Sequence, residues 1–205
     1  MIAIVDYGVG NLFSLSSSLK AIGAKSCITA DPKQLHEAEK IILPGVGAFG
    51  DAADKLRATG LDCVVKQEAA AGKELLGICL GMQLLFEKGL EYGEHEGLGL
   101  LKGQVVDMKG RIPEELKIPH IGWNALHFTR SHRLLRHIKE GDCVYFVHSF
   151  FADGCEDSLI ATAEYGRELT AIVGRDNVMG CQFHPEKSGS VGLSILRAFC
   201  EGERV

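Results

Sequence analysis

Several features are missing from this sequence, and each absence removes a class of function. No stretch is apolar for long enough to span a membrane. The opening Met1-Ile2-Ala3-Ile4-Val5-Asp6 has neither a basic start nor a small-residue cleavage pattern. The expectation is a cytoplasmic chain with no membrane partner. None of the seven cysteines forms a C-x-x-C pair, which leaves zinc and iron–sulfur binding without a framework; no metal and no cofactor is expected. Several cysteines, among them Cys27 and Cys143, lie inside apolar runs, where a reduced thiol behaves as a small hydrophobe and suits a reducing compartment. There is no dense Lys/Arg stripe, and the formal net charge of −5 argues against a nucleic-acid partner. The nearest candidate, Arg130-Ser131-His132-Arg133 with Arg136 and His137, reads as a solvated helix face. Gly8-Val9-Gly10-Asn11 lacks the third glycine of a dinucleotide fingerprint, and Pro44-Gly45-Val46-Gly47 lacks the Gly-Lys-Ser/Thr ending of a P-loop. No linker, repeat or low-complexity segment interrupts the 205 residues, so one domain spanning 1–205 is expected.

What is present begins with a rhythm. Ile2–Asp6 is apolar and β-branched; Leu12, Leu15, Leu19 and Ile22 follow at helical spacing, closed by Gly23. Lys25–Thr29 reads as a strand, and Asp31-Pro32 as an N-cap with proline at the first helical position. Lys40–Leu43 reads as a strand ended by Pro44. Helices over Phe49–Thr59 and Leu61–Ala71 are divided by Gly60, and strand Leu75–Ile78 leads into Cys79. This alternation predicts an α/β fold of three layers, a mostly parallel sheet flanked by helices. Beyond residue 98 the pattern becomes strand-like over Gly103–Asp107, Ala125–Thr129, Asp142–Phe150, Leu159–Tyr165, Thr170–Val173 and Val178–Phe183. Antiparallel strands are therefore expected in the C-terminal half, with Gly192–Cys200 as a closing helix.

Three short stretches carry chemistry. Gly77-Ile78-Cys79-Leu80-Gly81 has the small residues of a nucleophile elbow, with cysteine in place of serine. A helix beginning near Met82 would set its positive end beside the sulfur, and the Leu80 N–H would be one oxyanion donor. A buried, inert cysteine flanked by incidental glycines is the alternative. In His184-Pro185-Glu186 an extended backbone would put the imidazole and carboxylate on one side, the proline blocking a helix. Taken alone, that tripeptide is equally a solvated loop. Pro44-Gly45-Val46-Gly47 follows a strand, and its glycines allow a peptide N–H to be aimed at a developing oxyanion; a plain turn is the alternative. Ligands of such sheets gather at the carboxyl ends of the strands, where the loop and Cys79 both fall. Together the three supply a nucleophile, a base with its orienter and an oxyanion cradle, the requirements of acyl transfer through a thioester. The chain order Cys, His, Glu departs from the nucleophile–acid–base order of elbow hydrolases, so spacing alone names no substrate.

Gly77-Ile78-Cys79-Leu80-Gly81-Met82-Gln83, with His184 and Glu186, resembles the class I, triad-type glutamine amidotransferases over the whole length. Asp6–Leu12, Pro44–Gly50, Pro119–Asn124 and Tyr145–Ser149 are similar to the branch that serves as glutaminase subunits of imidazole glycerol phosphate synthases. The resemblance implies that Cys79 attacks the side-chain amide of L-glutamine, that His184 protonates departing ammonia and then activates water, and that Glu186 orients His184. It implies an oxyanion hole from Leu80 and the Val46–Gly47 segment, and substrate contacts from Gln83, Glu91 and Gly45. It further implies a heterodimer with a (β/α)8-barrel cyclase/synthase subunit that receives the ammonia in histidine biosynthesis, with Asn11, Trp123 and Lys187 toward that partner. The loop at 45–47 would need to reorient before donating. A glutaminase serving another pathway, a cysteine hydrolase acting alone and a catalytically silent binding subunit remain the alternatives.

Overall fold

The computed structural model describes residues 1–201; the last four residues of the expected 1–205 domain lie outside them. Strands β1 (Ile2–Val5), β2 (Ser26–Thr29), β3 (Lys40–Gly45) and β4 (Glu74–Cys79) alternate with helices α1 (Leu12–Ala21), α2 (Pro32–Glu37), α3 (Phe49–Ala58) and α4 (Leu61–Ala70). One turn of helix, α5 (Leu80–Gln83), follows β4. Then come the short β5 (Lys88–Gly89) and β6 (His95–Glu96), β7 (Gln104–Asp107), β8 (His120–Ala125), β9 (His127–Phe128), β10 (Cys143–His148) and β11 (Phe150–Asp153). The chain closes with β12 (Leu159–Glu164), β13 (Glu168–Arg175), β14 (Val178–Cys181) and helix α6 (Gly189–Glu201).

The main sheet runs β2-β1-β3-β4-β14-β13-β12-β9. It is parallel from β2 to β14, and antiparallel from β14 through β13 and β12 to β9. Alternation along the strands divides the core into two apolar layers. Ile41, Leu43 and Leu75 face Phe49, Leu56, Leu61 and Val65 of α3 and α4. Ile42, Leu76 and Ile78 face Leu15, Leu19, Leu196 and Phe199 of α1 and α6. Each of these buried side chains contributes about 1.5–3 kcal/mol of transfer free energy. The expected three layers are present. Their placement fixes the site, because β3, β4 and β14 end side by side.

Local signals act as expected at several boundaries. Asp31 accepts the Lys33 N–H at 3.0 Å ahead of Pro32, and Gly60, with φ of 71°, separates α3 from α4. Others require correction. Proline does not end β3: Pro44 and Gly45 continue the ladder opposite Ile78 and Cys79, since a parallel strand tolerates proline where its N–H is not needed. The expected strand Asp142–Phe150 is two strands, broken at Ser149, and Ala125–Thr129 divides between β8 and β9 at Leu126. The basic stretch 130–137 is no helix face. Its only regular structure is one 3-10 turn, Arg133–Leu135; Arg130 donates to the carbonyls of Asp157 and Gly174, and Arg133 lies 3.0 Å from Glu74. Burial and the neighbouring Arg133 and Arg130 lower the His132 pKa to about 4. None of the described helices is long and apolar enough to cross a membrane.

Candidate active site

Strand β4 ends on a strained residue. Cys79 has φ 54° and ψ −114°, a region an L-residue occupies only when its surroundings impose it, at about 1–3 kcal/mol. The two glycines permit this turn. A Cβ at Gly77 would stand 2.6 Å from Met82 Cα, and one at Gly81 would collide with the Leu43 carbonyl. The helix expected near Met82 starts earlier, at Leu80, and lasts four residues. So short a helix has little macrodipole, and the environment of the sulfur is set by side chains instead.

His184 reaches that sulfur from the end of β14. Its N–H donates to the Tyr145 carbonyl at 3.1 Å, Ser188 Oγ donates to its carbonyl at 2.6 Å, and Tyr145 N–H donates to Ser188 Oγ at 3.0 Å. The imidazole is thereby tied to β10 at both backbone groups. Nδ1 lies 2.8 Å from Glu186 Oε1, both side chains being buried. The tripeptide is not extended as expected: Pro185–Lys187 form a 3-10 turn with proline at its first position, where its fixed φ fits. The two side chains still meet, across a tight turn. Burial alone would lower the His184 pKa; hydrogen bonds with Cys79 and Glu186 outweigh it and raise the value to about 9. With Nδ1 engaged by the carboxylate, Nε2 is the nitrogen left to serve Cys79.

Cys79, His184, Leu80, Val46 and Gly47 open onto one cavity of about 340 Å³, at the small end of the range for ligand pockets. Gln83, Glu91 and Lys187 also line it, as do Pro119 and the Val147–Phe150 segment. Glu91 also caps a helix. Its Oε2 accepts the Phe49 N–H at 2.7 Å at the start of α3, whose own N-cap residue Ala48 has no side chain to do so. Gly45 lies outside this cavity, on a narrow cleft shared with Asn11, Pro44, His184 and Glu186. Trp123 lies on β8, 56% exposed, its ring edge-on to Tyr145 at 5.9 Å. Among the described residues, no group of three or more His, Cys, Asp or Glu side chains could hold a metal ion.

Three residues at the site were given no role by the sequence. Tyr7 is buried, and its hydroxyl donates to the Pro44 carbonyl at 2.8 Å, beneath the start of the loop. Burial, then the proximity of Cys79, push its pKa up. His148 lines the cavity, and Gln182 is fully buried with Nε2 3.8 Å from Cys79 Sγ. The signal for Gln182 was its position two residues before His184, reached from the same strand.

A family model described as Glutamine amidotransferase class-I matches residues 3–201. Among curated relatives, imidazole glycerol phosphate synthase subunit HisH of Bacillus velezensis is 51% identical over 97% of this chain and 95% of its own length. The protein of that name from Sulfurimonas denitrificans is 52% identical over 97% of each chain. The one from Caldanaerobacter subterraneus subsp. tengcongensis is 51% identical over 98% of each. Solved structures share the fold at lower identity. One described as a glutamine amidotransferase has a TM-score of 0.76 at 19% identity, covering 98% of each chain. PurLQS from Thermotoga maritima also gives 0.76, at 22% identity, with 98% of this chain and 97% of that one covered.

Proposed function

The chain belongs to the class-I glutamine amidotransferase family and, within it, to the HisH subunits of imidazole glycerol phosphate synthase, and on that premise we propose how its residues perform the glutaminase reaction. The substrate is glutamine, and the ammonia released serves a synthase subunit in histidine biosynthesis. Cys79, as thiolate, attacks the side-chain carbonyl carbon. A C–S bond forms, and the charge developing on oxygen falls to the Leu80 N–H and a peptide N–H of the Val46–Gly47 segment. As the C–N bond breaks, His184 gives its proton to the leaving ammonia. A water then attacks the thioester, its proton passing to His184; the C–S bond breaks and glutamate leaves. Glu186 holds the imidazole through Nδ1 and stabilises its charged form.

Gln83 and Glu91, on the cavity wall, would hold the amino-acid end of glutamine, and Gly45 supports the loop from behind rather than from the cavity. The residues 1–205 act as a single amidotransferase domain. Its partner is a (β/α)8-barrel cyclase/synthase forming a heterodimer. Asn11, Trp123 and Lys187 face that barrel, which sets the direction of the 45–47 loop. The observation that carries this reading is the line Glu186–His184–Cys79 ending at a cavity of about 340 Å³.

The test is glutamine hydrolysis with and without the barrel subunit and its nucleotide ligand. Hydrolysis is expected to rise with both present and to vanish in Cys79→Ala, while that complex still makes product from ammonium salt. Glutamine turnover surviving in Cys79→Ala would overturn the mechanism. Turnover of esters or peptides without any partner would favour a hydrolase acting alone.

A further inference from the structure

Gln182 has no exposed surface and its amide touches two residues: Gln83 on one side, at 3.0 Å, and the sulfur of Cys79 on the other, at 3.8 Å. The chemistry depends on which end faces the sulfur. An amide oxygen there would repel a thiolate, whereas an N–H would bind it.

The surrounding network permits one orientation. The Phe150 carbonyl can only accept, and two groups converge on it: the Gln83 amide at 3.0 Å and His148 Nδ1 at 2.8 Å. The nitrogen end of Gln83 must therefore face Phe150. That same NH2 lies 3.0 Å from Gln182 with its second hydrogen to give, so the oxygen of Gln182 faces Gln83. The nitrogen of Gln182 is then left to face Cys79. Turning either amide over would set oxygen against oxygen or nitrogen against nitrogen at a buried contact, at a cost of about 1–3 kcal/mol. His148 completes the lock. Burial lowers its pKa to about 3, so it is neutral; its Nδ1–H is committed to Phe150, and its Nε2 lies 3.1 Å from His120 Nδ1.

We propose that Gln182 is a further catalytic residue, an N–H donor to the Cys79 sulfur whose direction is fixed by the chain of amides beginning at the Phe150 carbonyl. This rests on the reading of Cys79 as the nucleophile. The donor acts twice in each turnover. Before attack it stabilises the thiolate. In the second half, when water adds and the C–S bond breaks, the electron pair returns to sulfur and Gln182 meets the charge again.

The test needs neither glutamine nor the partner. Alkylation of the full chain by iodoacetamide, resolved thiol by thiol by mass spectrometry, reports Cys79 beside the exposed Cys63 and Cys143. Gln182→Met keeps the length of the side chain and removes the donor; Cys79 alkylation at neutral pH should slow about tenfold, the equivalent of one pH unit, and recover in alkaline solution. Gln182→Glu places an anion beside the sulfur and should slow it further, with Cys63 and Cys143 unchanged in both. An unaltered Cys79 profile in Gln182→Met, or faster alkylation in Gln182→Glu, would overturn the proposal. Should Gln182→Met not fold, the comparison of Gln182→Glu with wild type decides. Absence of partner-dependent glutamine hydrolysis would sink the glutaminase reading and leave this result untouched.

Discussion

Glu186 meets His184 through one carboxylate oxygen: Oε1 lies 2.8 Å from Nδ1, while Oε2 is buried without a hydrogen-bond partner. The carboxylate thus acts on catalysis through the imidazole alone. Because it helps hold the His184 pKa near 9, the imidazolium form of His184 should persist to about that pH and decline above it. Glu186→Gln keeps the shape and removes the charge. The descending limb of the pH–rate profile should move below 9, and glutamine hydrolysis should fall about 10- to 100-fold, less than in Cys79→Ala. Steady-state rates across pH check both; equal losses in the two variants would remove Glu186 from its role.

The elbow should tolerate no Cβ at its tightest point. Gly81→Ala drives a methyl into the Leu43 carbonyl, a backbone group that cannot yield without shifting β3. Destabilisation by about 3–5 kcal/mol is expected, read as a lower urea midpoint, together with loss of Cys79 reactivity.

Tyr7→Phe should separate support of the loop from chemistry. It deletes the hydroxyl donor to Pro44 and leaves that buried carbonyl short of a partner. A loss of about 1 kcal/mol, or about 2–4 °C in melting temperature, is expected. Cys79 alkylation should remain, while partner-dependent hydrolysis, which needs the adjoining loop in place, should drop.

Acid stability should report the Glu74 cluster, in which the carboxylate lies 2.6 Å from Lys40 and 3.0 Å from Arg133. Burial alone would raise the Glu74 pKa; the contacts to Lys40 and Arg133 outweigh it and hold the value below the usual carboxylate range. A lowered folded-state pKa gives stability that is present above the unfolded value of about 4.3 and is lost as pH falls through the folded one. Glu74→Gln should therefore be less stable than wild type by about 1–3 kcal/mol at neutral pH, the difference shrinking as pH falls from the unfolded value through the folded one. Urea titrations across that interval measure it.

The parallel half of the sheet was readable because its central strands β1, β3 and β4 are buried on both faces and the helices beside them carry one apolar stripe each. The triad was readable because its residue types are rare in combination. Strand β8 was not, for a physical reason: its hydrophobic pattern is inverted. Ile121 and Trp123 point outward, 57% and 56% exposed, while His120 is buried between the rings of Phe146 and Tyr165. A rule that turns apolar residues inward reads such a strand backwards. Gln182 was hidden differently, since an amide in an apolar run gives no hint of which end it offers. Its role emerges only from what faces it across the fold.

Gly45 and Cys79 are opposite members of the last rung between β3 and β4. The glycine-rich loop therefore leaves the sheet from a post to which the nucleophile is itself bolted. The proposed rotation would redirect a peptide dipole without dragging the sulfur along. A signal arriving through that loop as proposed would be confined to the polarity offered to substrate oxygen, and the sulfur would keep its place. Under the proposed reorientation, small electrophiles would find Cys79 equally reactive in both settings, and only an amide that requires the donor would sense the difference.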